Sequence, residues 1–196
     1  MDLLPFMNLK IPTTDAACTL LPIARASIAS ELGKTHPVDE TAAWLREQGA
    51  TFITLNLQNK LRGCIGSLRA HRSLLDDIKA NARAAAFKDP RFKPLTAAEY
   101  EGIEVEVSLL SALSALAFTD EASALAQITP HVHGVIFEYG HHRSTYLPQV
   151  WDNFTDPVMF MATLKQKAGL PPNFWEPGVK LHTYTVAKFK ESELSG

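Results

Sequence analysis

Apolar and polar positions alternate most clearly in "TFITLNL", where Ile53, Leu55 and Leu57 share one face, the signature of a half-buried strand. "QNK" turns the chain back into "LRGCIG", whose period of two puts Leu61, Gly63 and Ile65 on one face and Arg62, Cys64 and Gly66 on the other. Arg62 and Cys64 would then project together, about 7 Å apart along the strand. "IEVEVSLL" predicts a third strand with Ile103, Val105, Val107 and Leu109 inward. "GVIFEYG", a turn at Gly140 and His141, and "RSTYLPQ" predict a second hairpin, and "VKLHTYTVAKF" a last strand of the same sheet system.

Helices fall between these strands. One runs to about Gly33, a fitting C-terminal cap, with Pro22 in its first turn or at a kink. Asp39 suits the N-cap of a short helix carrying Trp44 and Leu45 and ended by Gly49. Ser73 caps a helix opening "LLDDIK", whose acids favour the positive end of the macrodipole, and the prolines of "KDPRFKP" forbid its continuation. A further helix is predicted near 120 to 128, and another from Asp156-Pro157 to Gly169. Residues 1–14, with Pro5 and Pro12, read as an irregular arm.

The order strand, turn, strand, capped helix thus occurs twice. A shift of 83 residues places Cys64 on Leu147 and the cap Ser73 on the cap Asp156, which points to an internal duplication at the level of structure.

Composition narrows the function. With 46% hydrophobic and 20% charged residues the 196-residue chain is an ordinary globular protein. A formal charge of −2 leaves no overall positive field for a phosphate backbone, so DNA binding is not expected. Two distant cysteines, Cys18 and Cys64, make no disulfide framework and suit a reducing compartment. No signal peptide is read at the N-terminus, and the apolar run "VSLLSALSALAF" is too short to span a bilayer, so a cytoplasmic protein without a membrane role is expected.

"TFITL", "LRGCIGSL", "DPRFKPL", "IEVEVSLL", "HGVIF", "YLPQVW" and "LKQKAGL" occur in the order, and at about the spacing, of the AMMECR-type domain family, also called AmmeMemoRadiSam system protein A. The chain resembles that family from about residue 18 to 190, as a single domain over 15–190. The resemblance implies an α+β, AMMECR-like fold of two lobes with mainly antiparallel sheets, the larger lobe holding both termini, with two related β-α repeats. It also implies a Memo-like protein and a radical S-adenosylmethionine protein as partners, and a role in RNA or metabolite modification. With two cysteines the chain cannot carry the CxxxCxxC cluster motif, so radical chemistry would belong to the partner, and no cofactor is assigned to this chain.

Cys64 is the leading site residue. A thiol reacts as the thiolate, and Arg62 on the same face would favour that form, while Gly63 and Gly66 would let a ligand approach the backbone. The bland alternative is a small buried cysteine between packing glycines. "GCIG" also fits the GxxG pattern of KH domains, but it lies in a strand and lacks basic residues between its glycines. His133, with His131, His141 and His142, allows a metal site to be drawn, although spacing alone argues for capping and surface roles, and no metal is assigned. Arg91 would serve either as an anion ligand or as the partner of Asp89 holding a turn. Arg143, Tyr146 and Gln149 line the second hairpin, and the duplication would set them beside Cys64 in one cleft. Two readings follow: an enzyme or enzyme component using Cys64, Arg62 and His133 on a small anionic or nucleotide-like substrate, or a ligand-binding adaptor in which Cys64 is structural.

Overall fold

The computed structural model describes residues 3–6 and 9–194, with side chains from Ala16 onward. Strands β1 (Leu3–Phe6) and β2 (Leu9–Pro12) pair antiparallel, so the described part of the arm is a hairpin and not irregular chain; residues 1, 2, 7 and 8 lie outside the description. Helix α1 (Thr13–Glu31) buries Ala16, Leu20, Ile23, Ala24 and Ile28 on one side. Pro22 sits in its interior, beyond the first turn. Gly33, at φ +72°, ends the helix, with Lys34 N donating to Ala29 O at 3.0 Å.

The chain divides into two compact units, residues 1–110 with 187–196, and residues 111–186. In the first, β3 (Thr51–Leu57), β4 (Lys60–Gly66), β5 (Ile103–Leu110) and β10 (Val186–Lys190) form a sheet in the order β10-β5-β3-β4. Ile53, Leu55, Val105 and Val107 are fully buried in one core with α1 and α2 (Leu74–Phe87), and Leu57 and Ile65 are half-buried against it. Ser73 Oγ accepts from Asp76 N at 3.1 Å, the expected cap. The helix expected after Asp39 is only a 3-10 turn, Ala43–Arg46, because Asp39 caps Thr41 N locally at 2.9 Å.

One strand departs from the expected alternation. Leu55 pairs with Gly63 but Asn56 pairs with Leu61, so Arg62 is an extra residue in a β-bulge. The bulge moves Leu61 to the face of Asn56, where it is 44% exposed, and breaks the regular spacing that would have set Arg62 beside Cys64. A two-residue turn with both Gln58 and Asn59 at positive φ closes the hairpin. Short helix α3 (Ala97–Tyr100) precedes β5 and starts with a capping box of Thr96 and Glu99.

The second unit contains β6 (Ser114–Ala115), α4 (Glu121–Leu125), β7 (Gly134–Tyr139), β8 (His142–Tyr146), α5 (Pro157–Lys167) and β9 (Lys180–Tyr184). Its sheet order is β6-β9-β7-β8. Val135, Phe137 and Leu181 pack with Phe160, Met161 and Leu164, and the Trp151 ring stacks on Phe160 at 3.6 Å. β8 stops at Tyr146, where Pro148 opens a 3-10 segment to Asn153. "VKLHTYTVAKF" is not one strand but two, β9 and β10, each in the sheet of a different unit.

Both units use the same scheme: a hairpin whose second strand is the sheet edge, a capped helix, then a strand beside the first one. The two-residue turns match Leu57 with Tyr139 and Lys60 with His142. With Arg62 as the extra residue, Gly63 corresponds to Ser144 and Cys64 to Thr145, not to Leu147. The corresponding pair meets the helix in both units: a Cβ on Gly63 would lie 2.2 Å from Ala85 O of α2, and Ser144 Oγ donates to Leu164 O of α5 at 2.6 Å.

Candidate functional site

Cys64 lies on β4, an edge strand of its sheet, and is partly buried, whereas Cys18 is exposed on α1. Its thiol sulfur is 3.4 Å from the hydroxyl of Thr54, its cross-strand partner. An edge strand leaves backbone groups without a neighbouring strand, and here side chains take them up. Cys64 N donates to Asp89 Oδ2 at 2.9 Å, and Arg91 Nη2 donates to Cys64 O at 3.3 Å. Arg91 also holds Asp89 by a fork, Nε to Oδ1 at 2.9 Å and Nη2 to Oδ2 at 2.7 Å. Asp89 is buried, and the arginine hydrogen bonds outweigh that burial, holding its carboxyl well below the usual carboxylate range.

Arg62 is engaged elsewhere. Its Nε and Nη2 bind the two Glu99 oxygens at 2.9 and 3.2 Å, Nη2 donates to Lys93 O at 2.9 Å, and the guanidinium lies 5.8 Å from the Phe92 ring. These hydrogen bonds push Glu99 down to about 2, with the Thr96 backbone bond and cap also contributing. The space beside each glycine is filled by protein. Gly63 faces Ala85 of α2, and a Cβ on Gly66 would lie 2.3 Å from the Phe52 ring. The cation in contact with the Cys64 backbone is therefore Arg91.

A second group sits where β3 begins and α2 starts. Asp77, fully buried, accepts from Thr51 N and Oγ1 at 2.8 Å, Asn81 Nδ2 at 2.9 Å, Ser67 Oγ at 2.7 Å and Arg72 Nε at 2.8 Å. With five donors the carboxylate is saturated, and its evident work is to tie the hairpin to the helix.

The remaining sequence-predicted residues belong to the second unit and serve separate local contacts. His133 Nδ1 accepts from Thr129 N at 3.0 Å, and His133 O accepts from Trp151 Nε1 at 2.8 Å. His131 meets Asp152 at 3.2 Å, while His142 contacts Ala168 O at 2.9 Å and stacks near His141. The described residues contain no group of three or more His, Cys, Asp or Glu able to hold a metal ion. Arg143 pairs with its cross-strand neighbour Glu138 at 3.0 Å, Tyr146 packs on Phe160 under Lys167, and Gln149 is exposed in the 3-10 segment.

Asp89, Glu99, Thr54 and Asp77 did not stand out as site residues in the sequence. The Asp-Pro-Arg run signalled the Asp89–Arg91 pair, but its contact with a strand 25 residues earlier has no local signature. Among the described residues no helix is long and apolar enough to cross a membrane.

Comparison with known proteins supplies the lineage. "Protein MJ0810" of Methanocaldococcus jannaschii is 34% identical over 193 residues, covering 96% of each chain. A protein of Methanothermobacter thermautotrophicus is 34% identical over 182 residues, covering 90% of this chain and 95% of its own. The crystal structure of uncharacterized protein PH0010 from Pyrococcus horikoshii matches with a TM-score of 0.76 and 32% identity over 88% of this chain and 89% of that one. A model of the AMMECR1 family matches residues 21–189, and with these near-full-length relatives it establishes that the chain belongs to the AMMECR1 family.

Proposed function

We propose that this AMMECR1-family protein is an enzyme component that presents Cys64 to a small anionic or nucleotide-like ligand, working with Memo-like and radical S-adenosylmethionine partners. The observation that carries the reading is the state of Cys64: a partly buried cysteine at a sheet edge, with its backbone held on both sides by Asp89 and Arg91. The clamp satisfies the free backbone groups of the edge strand and, in doing so, sets a guanidinium on the Cys64 carbonyl. Arg91 takes the part first given to Arg62, whose guanidinium is committed to Glu99. Any radical step belongs to the partner, since this chain lacks the cysteines for an iron–sulfur cluster.

Alkylation by a neutral reagent, followed over pH with peptide mass spectrometry, tests this. Cys64 is expected to react faster than Cys18 in the folded protein across the pH range. Equal or slower reaction at Cys64 defeats the reading. The second reading, a ligand-binding adaptor with a structural cysteine, is favoured by the filled space at Gly63 and Gly66. It predicts that Cys64→Ser loses stability while retaining whatever ligand or partner co-purifies with the native protein.

A further inference from the structure

We propose that Asp89 and Arg91 are the positioning and recognition pair of the Cys64 site: they fix the open edge of β4 at Cys64 and offer one guanidinium nitrogen, Arg91 Nη1, to an anionic group of the ligand. The proposal rests on Cys64 being the ligand-contacting thiol.

Three features of the geometry carry it. First, both backbone groups of Cys64 are engaged by the pair, and Asp89 Oδ1 accepts from Arg91 N at 3.1 Å as well, so strand, loop and side chains lock one another. Second, the pair is oriented. The Asp89 side chain is 2% exposed and the Arg91 side chain 53%, so the negative end points inward and the positive end outward beside the thiol-bearing strand. Third, Arg91 uses Nε and Nη2 for Asp89 and Cys64, and among the described residues Nη1 has no partner. A guanidinium already held by a buried carboxylate and lying 5.4 Å from the Phe92 ring has lost its rotamer freedom, so a ligand carboxylate or phosphate meets it without that ordering cost. Arg62 Nη1 is also without a partner, but it is buried, with Nε and Nη2 committed to Glu99 and Lys93, so the guanidinium nitrogen open to a ligand from solvent is that of Arg91.

The test uses two aryl disulfides on a Cys18→Ser background, which leaves Cys64 as the one thiol of the chain. One is the dianionic dithiobis-nitrobenzoate and the other the neutral dithiodipyridine. In each case the Cys64 thiolate forms a mixed disulfide with one aryl sulfur, the reagent S–S bond breaks, and the second aryl thiolate leaves and is read by absorbance. Arg91→Gln is expected to lower the anionic-to-neutral rate ratio about threefold or more at low salt, with the two proteins converging at high salt. Arg91→Lys keeps the charge and should retain part of the preference. The salt dependence of the ratio in the parent protein reads the same field without any substitution in the pair. A merely structural pair would change both rates together, so an unchanged ratio in Arg91→Gln, with a salt-independent ratio in the parent, overturns the proposal. A Cys64 inert to both reagents in the native protein shows instead that the site reading has failed.

Discussion

Gly63→Ala asks whether the glycine of the hexapeptide serves packing or ligand approach. The added Cβ would lie 2.2 Å from Ala85 O and 3.1 Å from Ala85 C, both backbone atoms of α2. An ordinary carbon–oxygen contact needs about 1 Å more, and no side-chain rotation can supply it. The helix must move off the strand in a core where Ala82, Ala85, Ile53 and Leu55 are at most 1% exposed. Overpacking of a close-packed core costs roughly 1–3 kcal/mol, and the backbone-to-backbone clash places this case near 3 kcal/mol. That corresponds to a fall in melting temperature of roughly 6–12 °C for a chain of this size. Urea unfolding should show a lower midpoint at unchanged slope. Gly140→Ala is the control: nothing lies within 4 Å of its added Cβ, although φ is +56°, so only about 1 kcal/mol of left-handed strain is expected. A loss below about 0.5 kcal/mol in Gly63→Ala would refute the packing account and return Gly63 to a ligand role.

Two titrations follow from the same geometry. Glu99 is pushed from 4.5 down to about 2, chiefly by Arg62, so its pair stabilises the fold fully above pH 4.5 and loses that contribution as pH falls toward 2; urea midpoints should decline over that window in the native protein, and the Glu99→Gln variant should lack this component. Tyr184 is pushed up to about 12 by burial, so folding favours its neutral phenol and stability is lost as pH rises from 10 toward 12; ultraviolet titration should show one of the four tyrosines ionising late, and Tyr184→Phe should remove that step.

Local pattern alone was enough to locate most elements, because burial on one sheet face imposes a period of two and caps use short-range hydrogen bonds. Thus β3, β5 and β7, the Ser73 and Asp156 caps and the repeated hairpin-helix order were all readable from the chain. So was the family, through its hexapeptide and the motifs around it. Tertiary structure decided what no short window encodes. A bulge inserts one residue without changing composition, and so Arg62 left the spacing expected of it, Leu61 came to the surface, and the counterpart of Cys64 became Thr145. The division of the last strand between two sheets depends on which neighbours accept its hydrogen bonds. The electrostatics of Cys64 were likewise set by folding: β4 is an edge strand only because of the sheet order, and an edge must satisfy its free N–H and C=O groups, which brings Asp89 and Arg91 onto Cys64 from across 25 and 27 residues of sequence.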